Sequence, residues 1–258
     1  MSEQYVLETR NLVKEFKGFV AVDDVNLKIR KGHIHALIGP NGAGKTTVFN
    51  LLTKFLIPTR GQILFKGQDI TPLKSAAIAR RGIVRSFQIS AVFPHMTALE
   101  NIRVALQTTE NNSYSFWKSG ASLNKLNQRC MELLDSVGLA EFANTTTVEL
   151  AYGRKRALEL ATTLAMEPEL LLLDEPTQGM GGEDVDSVVE LVRKAANGRT
   201  VLMVEHNLGV VSKLCDRITV LAQGAVLTEG EYSEVSADPR VREVYMGTAN
   251  DKATAERE

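Results

Sequence analysis

Two short blocks carry the residues best suited to chemistry. The run GPNGAGKT at 39–46 fits G-x-x-x-x-G-K-[ST], directly after the strand-like HIHALI and directly before a helical pattern. Gly39, Gly42 and Gly44 let backbone N–H groups wrap a β-phosphate, Lys45 brings a point charge to the β- and γ-phosphates, and the Thr46 hydroxyl can sit on Mg²⁺. The second block, LLLLDE at 170–175, delivers two adjacent carboxylates from the end of an apolar strand. Neighbouring side chains on a strand diverge, so the two acids are expected to divide the work. Asp174 would hold Mg²⁺ through water, and Glu175 would polarise the water that attacks the γ-phosphate. No NKxD guanine-reading motif accompanies them.

A third stretch, ELAYGRKRALEL at 149–160, poses an electrostatic question. The spacing of Ala157, Leu158, Ala161 and Leu164 predicts a helix starting near Arg154, with Gly153 directly in front. Arg154, Lys155 and Arg156 then crowd the positive end of the helix dipole, an end that suits an anion. A lone histidine, His206, closes the strand-like VLMVEH. His33 and His35 alternate along one strand with no carboxylate or cysteine in the pattern, which argues against a metal site there.

Strands and helices must bring these blocks together. Short β-like runs fill residues 5–38, a helix is expected from Lys45 to about Leu56, and PTRGQILFKGQDI reads as a turn and small hairpin. Thr71 to Arg81 reads as a short helix ended by Gly82, and residues 96–166 carry mainly helical signal with polar interruptions. Then LLLLD and TVLMVEH flank a helix from Glu183 to Ala196, and ITVLAQGAVLTEG forms a hairpin turning at Gln223-Gly224. Buried strands alternating with helices predict an α/β fold with a mostly parallel core sheet, an N-terminal antiparallel β part and a helical insertion. The expected division is a nucleotide-binding core of residues 1–87 and 167–247, a helical part of 88–166, and a charged tail of 248–258.

The 258 residues suffice for one large domain, and 30 basic against 31 acidic residues leave a net charge of −1. Bulk electrostatic attraction to nucleic acid is thereby disfavoured. Two distant cysteines, Cys130 and Cys215, offer no zinc framework and fit a reduced protein. The polar start is unlike a signal peptide, and no apolar run approaches bilayer length.

The ordered set of a phosphate-binding loop, LAYGR, LLLLDE and VLMVEH resembles the ABC ATPase family. The resemblance implies ATP and Mg²⁺ as ligands, with the nucleotide along Gly39, Pro40, Asn41, Gly42, Ala43, Gly44, Lys45, Thr46 and Thr47. It implies that Leu150, Ala151, Tyr152, Gly153 and Arg154 form the signature segment, facing the γ-phosphate held by the other subunit of a head-to-tail dimer. Gln88 resembles the glutamine that touches Mg²⁺ and links core to insertion. Phe16 resembles the aromatic residue stacked on adenine, with Phe19 as rival, and His206 resembles the histidine that bonds the γ-phosphate.

ILFKGQDIT, ARRGIVRSFQ, VEHN and DPRVREVYMG are similar to the ATPase subunits of branched-chain and hydrophobic amino-acid uptake transporters. That likeness implies a peripheral protein on the cytoplasmic face, a second ATPase subunit, a permease docked near Gln88 to Glu100, an extracytoplasmic binding protein, and no nucleic acid. A soluble ABC ATPase without a permease and a regulatory module with weak turnover are the alternatives. Three departures bear on turnover: Ala151 replaces the signature serine, Arg154 the usual glutamine, and Gly181 the usual Asp or Asn.

Overall fold

The computed structural model describes residues 5–86, 92–109 and 120–245. In chain order its elements are β1 (Tyr5–Phe16), β2 (Phe19–Val25), β3 (Lys28–Arg30), β4 (Ile34–Ile38), α1 (Lys45–Leu52), β5 (Arg60–Phe65), β6 (Gln68–Asp69), α2 (Ser75–Ala79) and β7 (Ile83–Ser86). They continue with α3 (Ala98–Thr109), α4 (Gly120–Ser136), α5 (Tyr152–Leu164), β8 (Leu170–Asp174), α6 (Gly182–Ala195), β9 (Thr200–Val204), α7 (Leu208–Leu214), β10 (Arg217–Ala222), β11 (Ala225–Gly230) and α8 (Tyr232–Ala237).

Among the described residues, six strands form one sheet in the order β11-β10-β4-β9-β8-β7, parallel throughout except for the β10–β11 hairpin. A second, antiparallel sheet runs β2-β1-β5-β6, with β3 also on β1. The first sheet is apolar on both faces, and the two-residue period of its strands divides their side chains between two cores. Leu171, Leu173, Val201 and Met203 join helices α3 to α7 on one side. Leu170, Leu172, Leu202 and Val204 join α1 and the antiparallel sheet on the other. The unbroken LLLL run is therefore a strand buried from both sides, which alternation alone would not have recognised.

Several boundaries differ from expectation. Helix α1 ends at Leu52 and α2 spans only Ser75–Ala79. Helix α5 begins at Tyr152 with Ala151 as N-cap, so Gly153 lies within its first turn and not ahead of it. Strand β7 and helices α7 and α8 went unread, being short segments whose partners are distant in sequence. Both cysteines are free thiols. No helix among the described residues is long and apolar enough to cross a membrane.

The histidines expected to be inert toward metals have separate environments. His33 is 4.0 Å from Asp216, while His35 is buried with its Nε2 at 2.7 Å from Thr219 Oγ1. That hydroxyl donates its one proton to Glu229 Oε2 at 2.9 Å, so it accepts from His35, whose Nε2 carries the hydrogen. Burial lowers the His35 pKa from its ordinary 6.5 to about 4; Glu229 opposes the shift, and Arg217, His33 and Arg30 add to it. Above pH 6.5 the ring is neutral folded or unfolded. Between pH 6.5 and 4 only the unfolded chain takes the proton, so stability falls with pH by roughly 3 kcal/mol in total. Denaturant unfolding of parent and His35→Gln from pH 7.5 to 4.5 should show this loss in the parent and a flatter profile in the variant.

Candidate functional site

The parallel order of the sheet assembles the site. Loops leaving the carboxyl ends of adjacent parallel strands emerge at one edge, where such sheets form their ligand crevices. Leu37, Val204 and Asp174 lie in one cross-strand row of β4, β9 and β8. The glycine-rich loop therefore leaves beside β9, which leads to His206, with the Asp174-Glu175 pair one strand further along on β8. Strand β7 pairs with β8 and ends at Ser86. Gln88 lies outside the described residues.

Steric limits set the loop's glycines. Gly39 has φ 151°, and a Cβ there would stand 2.2 Å from the Leu221 carbonyl oxygen. At Gly44, φ is 98° and a Cβ would stand 2.6 Å from the Ala21 oxygen. The tip of the β10–β11 hairpin supports this packing: Gly224 N–H donates to the Ala43 oxygen at 3.1 Å, and Asp23 N–H donates to the Gly224 oxygen at 2.8 Å. Gly44 caps α1, whose first-turn N–H groups have no intrahelical acceptors and whose dipole is positive at that end. Asn41, Gly42 and Thr46 are exposed, Pro40 and Thr47 are half-buried, and Ala43 is buried.

The Lys45 ammonium is buried and donates to the Gly39 and Pro40 carbonyl oxygens at 2.8 and 2.9 Å. Desolvation pulls its pKa below the ordinary lysine value, while the nearby charges of Glu175 and Asp174 pull it back up. The lysine and both acids thus share one electrostatic neighbourhood. Asp174 is buried in an ion pair with Arg85, whose other terminal nitrogen donates to Asn50 Oδ1 of α1 at 2.7 Å. Arg85 was not among the residues anticipated. Its signal was a cation inside the apolar strand pattern GIVRSF, three residues before Gln88.

Glu175 has φ 47°, an uncommon left-handed conformation for a non-glycine residue. Its N–H donates to the Val204 oxygen at 2.9 Å, which ties the strained residue to β9. Asp174 is buried and Glu175 half-buried. Thr46 and Asp174 supply hydroxyl and carboxylate oxygens, the hard donors that Mg²⁺ prefers alongside substrate phosphates. That donor set fits the ion.

His206 is exposed just beyond β9. Phe16 and Phe19 face each other across the β1–β2 turn and are 41% and 67% exposed. The Lys14 ammonium lies 4.9 Å from the Phe16 ring centroid. Strand β2 also carries Ala21, whose carbonyl touches the Gly44 position, so this hairpin tip adjoins the glycine-rich loop.

The question posed by the three cations of α5 has an intramolecular answer. Arg154 stacks on the Phe142 ring at 3.9 Å, and Lys155 donates to the Val148 oxygen at 3.0 Å. Arg156 donates to Glu159 at 2.8 Å and to the Tyr152 hydroxyl at 3.2 Å. They neither crowd the dipole unpaired nor simply extend into water. Leu150 is buried, and the exposed Tyr152 donates to the Gln178 oxygen at 3.3 Å. A Cβ on Gly153 would meet nothing closer than Asp184 Oδ1 at 3.8 Å, so packing within the subunit does not demand glycine there. Gly181 is the N-cap of α6.

These features define a P-loop nucleoside triphosphatase core. The family model described as "ABC transporter" matches residues 22–178, and "Branched-chain amino acid ATP-binding cassette transporter" matches 225–251. The chain is 39% identical over 252 residues to the high-affinity branched-chain amino acid transport ATP-binding protein BraF of Pseudomonas aeruginosa, covering 95% of this chain and 98% of that one. It is 38% identical over 253 residues to LivG of Escherichia coli, covering 95% and 99%. A crystal structure of an ABC transporter cassette in its ADP conformation superposes with TM-score 0.82 at 30% identity, covering 94% of this chain and 99% of that one. A dimeric bacterial ABC transporter cassette superposes with TM-score 0.74 at 27% identity, covering 88% and 98%. The chain belongs to the ABC transporter family of ATP-binding cassettes, and as such it binds ATP and hydrolyses it.

Two stability measurements test this geometry. Gly42 has φ 78° but open space where a Cβ would go, so Gly42→Ala should cost only about 1–2 kcal/mol from backbone strain. Gly39→Ala must also displace a backbone carbonyl and should cost clearly more by denaturant unfolding. Ala151 has N-cap backbone angles, φ −61° and ψ 156°, without a side-chain acceptor. Ala151→Ser should therefore stabilise the fold by about 0.5–1 kcal/mol.

Proposed function

We propose that the chain powers import of branched-chain or related hydrophobic amino acids as one of two cassettes paired head to tail on a membrane permease. The observation that carries the reading is the common edge of β4, β9 and β8, from which the loops bearing the lysine, the acids and the histidine leave. Tyr152 at the signature segment contacts Gln178, and a Cβ on Gly153 would meet only Asp184 Oδ1, at 3.8 Å. A second cassette would supply the anion for which the α5 N-terminus is suited. The relatives' names, which specify branched-chain amino acid transport, support the substrate class.

In this reading the α1 N–H groups and Lys45 hold the β- and γ-phosphates, and Phe16 stacks on adenine. Glu175 accepts a proton from the attacking water and His206 donates to a γ-phosphate oxygen. Mg²⁺, held by Thr46 and Asp174 with Gln88, would neutralise charge on the phosphate oxygens. Arg85 already neutralises Asp174, so the ion's arrival would require that pair to adjust.

A permease contact is supported by the segment before α3. Asn101 is buried and bonds this loop from within: it accepts from Phe93 N–H at 2.7 Å and donates to the Thr97 oxygen at 2.9 Å and to Thr147 Oγ1 at 3.0 Å. Thr97 and Glu100 cap α3 reciprocally at 2.8 and 3.2 Å. The fixed loop presents Phe93 and Met96 outward. A separate groove is lined by the exposed Phe55 together with Ile78, Ala79 and Ala105. A short helix from a permease would find apolar anchors in the exposed Phe93 and Met96 and in the Phe55 groove. Association with the cytoplasmic face and an extracytoplasmic binding protein would follow from that partnership.

Lys45→Ala should abolish ATP binding, whereas Glu175→Gln should retain ATP and accumulate as a dimer on size-exclusion chromatography with ATP. A monomeric, ATP-bound Glu175→Gln protein at high concentration would contradict self-pairing. Phe93→Glu should lower leucine, isoleucine and valine uptake in cells by at least about tenfold. Its isolated ATP affinity should stay near the parent's, and parallel loss of nucleotide binding would remove the segment from the permease interface.

A further inference from the structure

Glu205 precedes His206 and is fully buried, at 0% exposure. An ionised carboxylate in such a position must be surrounded by donors, and this one has four. Oε1 accepts from Thr177 N–H at 3.2 Å and from Thr177 Oγ1 at 2.6 Å. Oε2 accepts from His206 N–H at 3.0 Å and from Asn207 N–H at 3.1 Å. One oxygen serves the loop behind Glu175 and the other serves the turn that carries His206.

Both recipients are otherwise tightly fixed. The Glu175–Met180 loop folds on itself through Gln178 N–H to the Glu175 oxygen at 3.1 Å and Met180 N–H to the Thr177 oxygen at 3.3 Å. On the other side, Asn207 caps α7, accepting from Gly209 and Val210 N–H at 3.0 and 3.3 Å. The exposed His206 thus stands between two anchored residues, and the left-handed Glu175 stands between its bond to β9 and the Thr177 anchor. Backbone strain of this kind persists only where surrounding contacts over-determine it.

We propose that Glu205 is a positioning residue for hydrolysis: its carboxylate clamps the loop behind Glu175 to the His206 turn, fixing two groups from different strands in one register. The proposal rests on the roles assigned above to Glu175 and His206. A carboxylate is required because all its sites accept. The amide of Gln keeps one accepting oxygen and turns an NH₂ toward the remaining N–H or O–H donors. One of the two loops would then be released, while the glycine-rich loop, which Glu205 does not touch, would keep its hold on nucleotide.

The test measures kcat and the equilibrium Kd for MgATP in Glu205→Gln, Thr177→Val and the double variant, with melting temperatures confirming folding. Hydrogen bonds to charged groups contribute about 1.5–3 kcal/mol, so Glu205→Gln should lower kcat by about ten- to hundredfold. Its Kd should change less than about threefold, since the two measures separate when only transition-state geometry is lost. Thr177→Val should lower kcat by a smaller factor, and the double variant should fall no further than Glu205→Gln, because both act through one contact. A folded Glu205→Gln protein with kcat within twofold of the parent overturns the clamp, as does equal loss of kcat and affinity or a fully additive double variant. Should Glu205→Gln not fold, Thr177→Val decides alone: an unchanged kcat overturns the proposal, and a reduced kcat at unchanged Kd supports it. Glu175→Gln run in parallel separates the two failures, because undiminished hydrolysis there would refute the role of Glu175 and not the clamp.

Discussion

A parallel sheet buried on both faces imposes the arrangement on which everything else depends. Its strands must be apolar on alternate sides for two different cores, and their chain direction delivers every following loop to one edge. Leu170 to Leu173 and Val201 to Val204 meet the first demand by being apolar at every position. The polar residues that follow, Asp174-Glu175 and Glu205-His206, are consequently the first places where chemistry can begin. The low-dielectric sheet beneath them makes each charge there costly unless it is paired.

The pairing is thorough. Lys45 bonds carbonyls of its own loop, Asp174 is neutralised by Arg85, and Glu205 is wrapped by four donors. Each contact also ties one element to another: Arg85 links α1, β7 and β8, and Glu205 links the loops after β8 and β9. Electrostatic satisfaction and positional rigidity are the same interactions here, and that is why the edge can present Glu175 and His206 in fixed places.

Helix α5 illustrates the opposite case, a charged end whose own cations are taken up locally. Arg154 lies on Phe142, Lys155 on the Val148 oxygen and Arg156 on Glu159, so each cation near the N-terminus has a partner within its own subunit. Ala151 contributes no side-chain capping oxygen to the first-turn N–H groups. An external acceptor at this end would accord with the paired arrangement proposed.

The sequence by itself determined the motif-bearing strands, the glycine-rich loop, the two acids, the histidine and the family, because these depend on local patterns: uninterrupted apolar runs, glycines at fixed spacing and polar residues at strand ends. It also located the Gln223-Gly224 hairpin, yet not that its tip seats the glycine-rich loop through Ala43. Only the tertiary structure decided the partners of Arg85 and Glu205, the start of α5 at Tyr152, and which cations near Gly153 are already occupied. Those outcomes turn on contacts such as Arg85 with Asp174, 89 residues apart, and Thr177 with Glu205, 28 apart. No local periodicity encodes such contacts, because a side chain's charge fixes what kind of partner it needs and the packing of strands fixes which one it meets.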